Sequence, residues 1–221
     1  MTRRRLAFVY HPQSWPTMEV ADAAKDVCDL IWVIDTRMPE VASMARLLCR
    51  LGTVVDVTDL SFDEAAAAIA EARPDGILAL ADSRIAWTAQ VADRLGLRFA
   101  TPETAGRLTD KHLQRQALRA GGLAVPGFWP VPADDDAAGW EALDREAVFP
   151  AVVKPRHSEG SRNTQRVGSL GELRTIVADR AAMFDAAQSA LVLEQYIPDR
   201  PGREGERFAD YVSVESFVSD G

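Results

Sequence analysis

The densest chemistry in the chain lies at Val152-Val153-Lys154-Pro155-Arg156-His157-Ser158-Glu159-Gly160-Ser161-Arg162. An apolar run delivers a lysine at its end, and a loop of serines, glycine and basic side chains follows. Backbone N–H groups and hydroxyls in such a loop can surround a phosphate chain while the lysine ammonium neutralises it. Phosphoryl transfer needs both, because its negative charge must be held in a site that excludes water. Taken alone, the segment reads as a solvated turn after a strand. Two further features change that balance. Upstream, Asp110-Lys111 opens a helical pattern that leads through Gly121 and Val125-Pro126 into a new strand. Downstream, the run Leu191-Val192-Leu193 ends in Glu194-Gln195-Tyr196-Ile197.

The elements that must position these residues are legible as alternating patterns. Leu6 to Tyr10, Leu30 to Ile34, Val54 to Val57 and Gly76 to Leu80 are short, near-continuous apolar runs. Such runs are expected of strands whose sheet is covered by helices on both faces. Helical patterns separate them at Val41 to Arg50 and Ser61 to Ala72, the second opening with Ser61 and Glu64 at capping-box spacing. A third, Ile85 to Leu95, stops at Gly96, where a left-handed residue would close it. This βαβ rhythm predicts a parallel, doubly wound sheet. Thr109 or Asp110 can cap a helix running to Gly121-Gly122, after which Val125-Pro126-Gly127 breaks the chain. Asp134-Asp135-Asp136 marks an exposed loop or a helix start. Ala151 to Lys154, Arg166-Val167 and Leu191 to Ile197 read as strands, and Ser169 with Glu172 caps a helix continuing towards Phe184. Val212, Val214 and Val218 alternate with polar residues, as a half-buried strand does. A domain boundary is expected near residue 108.

Composition narrows the function classes. The chain has 221 residues with 33 acidic against 25 basic side chains, a formal charge of −8. Its 47% apolar and 26% charged content is that of a globular protein. Folding a chain this long buries about 70% of the extended-chain surface, so no disulfide staple is needed. Only Cys28 and Cys49 occur, with no CxxC and no His cluster, which argues against a disulfide framework or a zinc site. No apolar run has membrane-spanning length, and the apolar stretch after the basic start stops at His11, so a cytoplasmic protein is expected. Acidic charge without a basic stripe argues against a nucleic-acid partner. Tyr10-His11-Pro12-Gln13 follows the first strand where a dinucleotide-binding GxGxxG would stand, and no GxxxxGK[ST] is present.

The order of a helix-borne lysine, a Gly-Val-Pro-like turn, a strand lysine with a small-residue loop and an acid-ended strand resembles the ATP-grasp superfamily. The resemblance covers residues from about 75 to 221, and the preceding sheet matches the family's N-terminal domain. Lys154-Pro155 with Glu159-Gly160-Ser161 is similar in wording to D-alanine–D-alanine ligases. The layout is similar to L-amino-acid ligases and, more distantly, to biotin carboxylase. The implied fold is α/β, with a Rossmann-like pre-ATP-grasp domain of parallel sheet over 1–108 and an incomplete α+β ATP-grasp domain over 109–221.

The resemblance also implies roles. Lys111 and Lys154 would contact ATP phosphates, and the loop Ser158, Glu159, Gly160, Ser161 would close over them as a flap. Glu194, Gln195, Tyr196 and Ile197 would form the hinge beside adenine, with Tyr196 read from its strand position as packing. Asp210 would hold the ribose, although strict alignment back from Ser213-Val214-Glu215 shifts that position to Tyr211, and Glu215 is a further polar candidate. Arg162-Asn163-Thr164 replaces the glycine-rich continuation of some members. His157 reads as an exposed loop residue, His112 as helix surface, and His11 as a residue after the first strand. The Mg²⁺ ligands are expected beyond residue 221, because Ser219-Asp220-Gly221 reads as a hairpin turn lacking its second strand. The chain is then an N-terminal piece, inactive by itself, of an enzyme that activates a carboxylate as an acyl phosphate with ATP and joins it to an amine such as an amino acid. Its partners would be these small molecules and, in a homodimer, a second copy. Two alternatives stay open: a biotin-carboxylase-like enzyme, and a non-catalytic nucleotide-binding or sensor module.

Overall fold

The four N-terminal apolar runs pair side by side as β1 (Arg4–Val9), β2 (Cys28–Ile34), β3 (Thr53–Asp56) and β4 (Gly76–Leu78). The computed structural model describes residues 3–158, 163–181 and 190–198. All neighbours are parallel in the order β3-β2-β1-β4, with Phe8 opposite Trp32 and Trp32 opposite Val54. Alternation along each strand explains why the runs are apolar throughout. Phe8, Tyr10, Trp32 and Ile34 pack into one core with Ala24 of α1 (Thr17–Ala24) and Val41 and Leu48 of α2 (Pro39–Leu51). Ala7, Val9, Val33 and Ile77 pack into the other with Ile69 of α3 (Phe62–Glu71) and Val91 of α4 (Asp82–Leu95). Both faces are therefore dry.

Local signals act where the sequence places them. Ser61 Oγ accepts from Glu64 N and the Glu64 carboxylate accepts from Ser61 N at 2.8 Å, so α3 opens on a capping box. Gly96 closes α4 at φ 65°, a left-handed value that glycine adopts without strain. α1 was not expected from the sequence, and no side chain caps it. Gly52 matters for a different reason: its backbone is extended, but an added Cβ would collide with the Leu30 carbonyl and sit 3.1 Å from Trp32 Nε1. Gly52→Ala is expected to cost about 1–3 kcal/mol through this overpacking. Thermal unfolding should show it as a fall of about 2–4 °C per kcal/mol; an unchanged midpoint would contradict the close approach.

The chain then passes through α5 (Pro102–Thr109) and α6 (Lys111–Ala120) into a second sheet. α5 was not expected, although Thr101 caps it, accepting from Thr104 N at 3.2 Å, with Pro102 in its first turn. The second sheet comprises β5 (Phe128–Pro130), β6 (Ala151–Pro155), β7 (Gln165–Val167) and β8 (Leu191–Gln195). Its pairs are antiparallel in the order β5-β8-β6-β7. Ala151, Val153, Leu191 and Leu193 form one face, covered by Trp140 and Leu143 of α7 (Ala137–Glu146) and by Leu173 and Val177 of α8 (Leu170–Ala181). Alternation sends Lys154 and Glu194 to the opposite face. Asp136 caps α7, accepting from Gly139 N, so the acidic triplet is a helix start. At α8, Ser169 Oγ accepts from Glu172 N at 3.3 Å, but the Glu172 carboxylate accepts from Gly168 N, so only half of the expected capping box forms.

The strand expected over Leu191 to Ile197 is shorter than its apolar pattern. It ends at Gln195, beside the starts of β5 and β6, and its last backbone bonds run from Gln195 N to Gly127 O at 2.7 Å and from Tyr196 N to Pro150 O at 3.3 Å. The strand expected around Val212, Val214 and Val218 and the turn at Ser219-Asp220-Gly221 lie outside the described residues. The architecture is α/β with one parallel and one antiparallel sheet, as the sequence implied.

Candidate nucleotide site

The site is assembled where the start of α6 meets the end of β6. Asp110 caps α6, its Oδ1 accepting from His112 N at 2.9 Å and Leu113 N at 3.2 Å. The same carboxylate takes a bidentate pair from Arg156, at 3.0 Å from Nε and 2.5 Å from Nη2, and is only 4% exposed. Burial pushes the Asp110 carboxyl up, but the Arg156 hydrogen bonds, helped by those from Leu113 and His112, outweigh it and hold it below the usual range. Lys111 N donates to Arg156 O at 3.0 Å. Its ammonium donates to Ser158 O at 2.9 Å and Ser158 Oγ at 3.1 Å. The first turn of α6 is thus laced to the loop that follows β6.

Next to it, Lys154 and Glu194 share one sheet face as diagonal neighbours, since Lys154 pairs with Val192 and Val152 with Glu194. Lys154 Nζ lies 2.7 Å from Glu194 Oε2. Arg115, one turn along α6 from Lys111, donates from Nη2 to the same oxygen at 3.4 Å. Arg115 Nε is 3.3 Å from Glu194 Oε1, yet both atoms are buried without a hydrogen bond among the described residues. Lys154 and Arg115 therefore share one carboxylate, Lys111 lies near enough to feel its charge together with those of Asp82 and Asp110, and Arg156 is balanced by Asp110. Burial, and then the Lys154 charge, push the Lys111 ammonium below its ordinary value, against the opposing pull of Asp82, Glu194 and Asp110. A crowded, partly dehydrated set of cations with too few carboxylates is built to take a polyanion.

Glu194 is 6% exposed, and its carboxylate is committed to two cations rather than to solvent. Tyr196 lies beyond β8 and its ring is capped by the Arg166 guanidinium at 4.5 Å, so it is not the strand-core aromatic its pattern implied. Gln195 pairs with Gly127 through both its N–H and its side-chain oxygen. Ile197, just past these bonds, is 72% exposed. Arg115, Arg156 and the second role of Asp110 were missed; the signal available was Arg115 at i+4 from Lys111 on one helix face. His112 is not a plain surface residue: it stacks edge-on against Phe128 at 5.3 Å, and burial followed by the Arg156 charge pushes its pKa down. His157 is exposed as expected, its Nδ1 3.1 Å from Thr109 O. His11 is buried, and its Nδ1 accepts from Gln13 N at 3.2 Å. Glu159, Gly160, Ser161 and Asp210, with its alternatives Tyr211 and Glu215, lie outside the described residues. Among the described residues no group of three His, Cys, Asp or Glu could hold a metal ion, and no helix is long and apolar enough to cross a membrane.

No protein-family model matches the chain. A 98-residue stretch, 44% of the chain, is 31% identical to the uncharacterized protein y4rH of Sinorhizobium fredii and covers 20% of it. Among solved structures, an L-amino acid ligase from Bacillus licheniformis superposes on 90% of the chain with a TM-score of 0.62 and 18% identity. The biotin carboxylase domain of Hydrogenobacter thermophilus 2-oxoglutarate carboxylase, solved with MgADP, ADP and bicarbonate, superposes on 88% with a TM-score of 0.64 and 15% identity. The chain spans 46% and 44% of the lengths of these two structures. Its α/β fold, from the parallel sheet through the antiparallel sheet that carries Lys154, is one that it shares with these two structures.

Proposed function

We propose that the chain supplies the phosphate-gripping part of an ATP-dependent carboxylate–amine ligase, with a pre-ATP-grasp domain over 1–108 and the start of the ATP-grasp domain over 109–221. The observation that carries this reading is the pairing of Lys154 and Arg115 with the buried Glu194 carboxylate beside the partly dehydrated Lys111 ammonium. On binding, Lys111 would exchange the Ser158 oxygens, and Lys154 part of its Glu194 contact, for phosphate oxygens. The ion pairs thus hold both ammonium groups in place before the ligand arrives, which lowers the ordering cost. Glu194 keeps the Lys154 ammonium aimed, and its backbone begins the hinge. Because Gln195 N and Tyr196 N are spent on Gly127 and Pro150, the Ile197 N–H is the backbone donor we assign to the adenine edge. The flap Ser158 to Ser161 and Asp210 keep the roles that the resemblance implies.

In the proposed reaction a carboxylate oxygen attacks the γ-phosphorus and ADP leaves. An amine then attacks the acyl carbon of the acyl phosphate, phosphate leaves, and the amine gives up a proton. Mg²⁺, when bound, would neutralise phosphate charge; the described residues hold no ligand cluster for it, so no step is assigned to it. The chain's own contribution is electrostatic and orienting. The test is phosphate release from ATP by the full-length protein over a panel of paired carboxylic acids, amines and amino acids. Release that needs both a carboxylate and an amine is the expected result. A protein that binds ADP yet releases no phosphate with any pair would contradict the ligase assignment.

A further inference from the structure

A second cavity, of about 270 Å³, opens at the carboxyl ends of β1 and β2, between them and the first turns of α3 and α4. Open α/β sheets bind ligands at this edge, where strand ends and helix starts leave a crevice. Its walls include the rings of Tyr10, Phe62 and Trp87 and the aliphatic side chain of Leu60. Arg84, from the first turn of α4, lines it as well. Arg84 Nε is buried and has no hydrogen bond among the described residues. Among the described residues its Nη2 has a hydrogen bond to the Met38 thioether alone, at 3.5 Å. A thioether is a weak acceptor, so this guanidinium has donors to spare. The one carboxylate lining the cavity, Asp35, is tied to Arg37 by bonds from Nε at 2.9 Å and Nη2 at 2.5 Å. Desolvated donors of this kind are satisfied in folded proteins, and an anion is what satisfies a guanidinium.

From this geometry we infer that the cavity binds a small carboxylate with an apolar or aromatic body, its carboxylate on Arg84 and its body against Phe62, Trp87 and Leu60. The walls disfavour a phosphate, which would need more than one guanidinium with donors to spare, and the Asp35 charge already lies within reach of Arg84. The volume lies below the usual range of about 300–1,000 Å³ for drug-sized ligands and suits a molecule the size of leucine. Asp82, two residues before Arg84 in the same turn, is near enough to Lys111 for its charge to act on that ammonium. Lys111 therefore lies within electrostatic reach of the turn of α4 that carries Arg84. As a binding site the cavity stands alone; as the subsite for a ligase's carboxylate or amino-acid substrate it rests on the proposed function.

Calorimetric titration of the full-length protein with 4-methylpentanoate, L-leucine and 3-methylbutylamine tests it. The two carboxylates should bind and the amine should not. Arg84→Met should weaken 4-methylpentanoate binding by about tenfold or more, the loss of a charge-assisted pair, and Arg84→Lys should recover part of it. Should Arg84→Met fail to fold, Leu60→Asp decides, since Leu60 is 41% exposed at the rim and its new carboxylate would repel the ligand. No carboxylate binding, or equal binding by folded Arg84→Met or Leu60→Asp, overturns the inference. ADP binding without carboxylate binding would remove this cavity and leave the ligase reading intact. Carboxylate binding without ADP binding would do the reverse.

Discussion

Lys154→Met is expected to lower both the stability of the protein and its affinity for ADP, and a second substitution, Glu194→Met, should restore only the stability. The side chains of Lys154 and Glu194 are 17% and 8% exposed and lie 2.7 Å apart. Removing one partner of a buried ion pair leaves the other charge dehydrated and uncompensated, a penalty of about 3–5 kcal/mol. Arg115 stays beside Glu194 at 3.3–3.4 Å and relieves part of it, so about 2 kcal/mol is the expected loss. In a domain of this size that lowers the melting temperature by about 4–8 °C. Replacing both charges by methionines removes the stranded carboxylate as well, and apolar replacement of a buried pair is often neutral or stabilising. Arg115 then loses its partner, but at 22% exposure it can be hydrated. Thermal melts of the wild type, the single variants and the double variant separate these contributions; equal melting temperatures for Lys154→Met and the wild type would show that the pair is not closed.

Asp110 should give the second large effect, in two separable parts. Asp110→Ala removes the cap of α6, about 1 kcal/mol, and strands the Arg156 guanidinium that now makes two hydrogen bonds to the carboxylate. Asp110→Asn keeps a side chain able to cap but gives up the charge. We expect losses of about 3 kcal/mol for alanine and about 1–2 kcal/mol for asparagine. The pH dependence distinguishes the charge from the cap. Because the folded protein holds the Asp110 carboxyl below its ordinary value of 3.8, the unfolded chain takes up the proton first as pH falls. The stabilisation is therefore complete above the ordinary value and fades as pH drops through the lower, folded one. Denaturant unfolding measured from pH 6 down should show the wild type converging on Asp110→Asn at the acid end. A constant gap between the two at all pH values would contradict the charged pair.

The fold was largely legible because its signals are local or periodic. Four apolar runs, the Ser61–Glu64 box, Gly96 and the Asp110 cap each act within a few residues, and each stands where its pattern put it. The strand ending at Gln195 rather than Ile197 was not legible from hydropathy, since Tyr196 and Ile197 are as apolar as a strand requires. β8 ends where its neighbours begin, β5 at Phe128 and β6 at Ala151, with last backbone bonds to Gly127 and Pro150, each distant in sequence. Lys111, Lys154 and Glu194 were singled out by order along the chain and do converge, but their partners were invisible. Arg156 finds Asp110 across 46 residues and Arg115 finds Glu194 across 79. Ion pairs of that span are set by how α6 docks on the second sheet, which no motif encodes. The Arg84 cavity was missed for the same reason: it draws on two strands and two helices.

The most direct test of the account is the ADP affinity of Lys154→Met/Glu194→Met measured by calorimetry against that of the wild type. The double variant is expected to melt near the wild-type temperature, so a change in affinity does not report unfolding. Removing the Glu194 charge by itself favours an incoming anion, so weaker binding is attributable to the lost ammonium. A charge-assisted hydrogen bond contributes about 1.5–3 kcal/mol, which predicts ADP binding about tenfold to a hundredfold weaker than in the wild type. A folded double variant that binds ADP as tightly as the wild type would contradict the assignment of Lys154, and with it the nucleotide site.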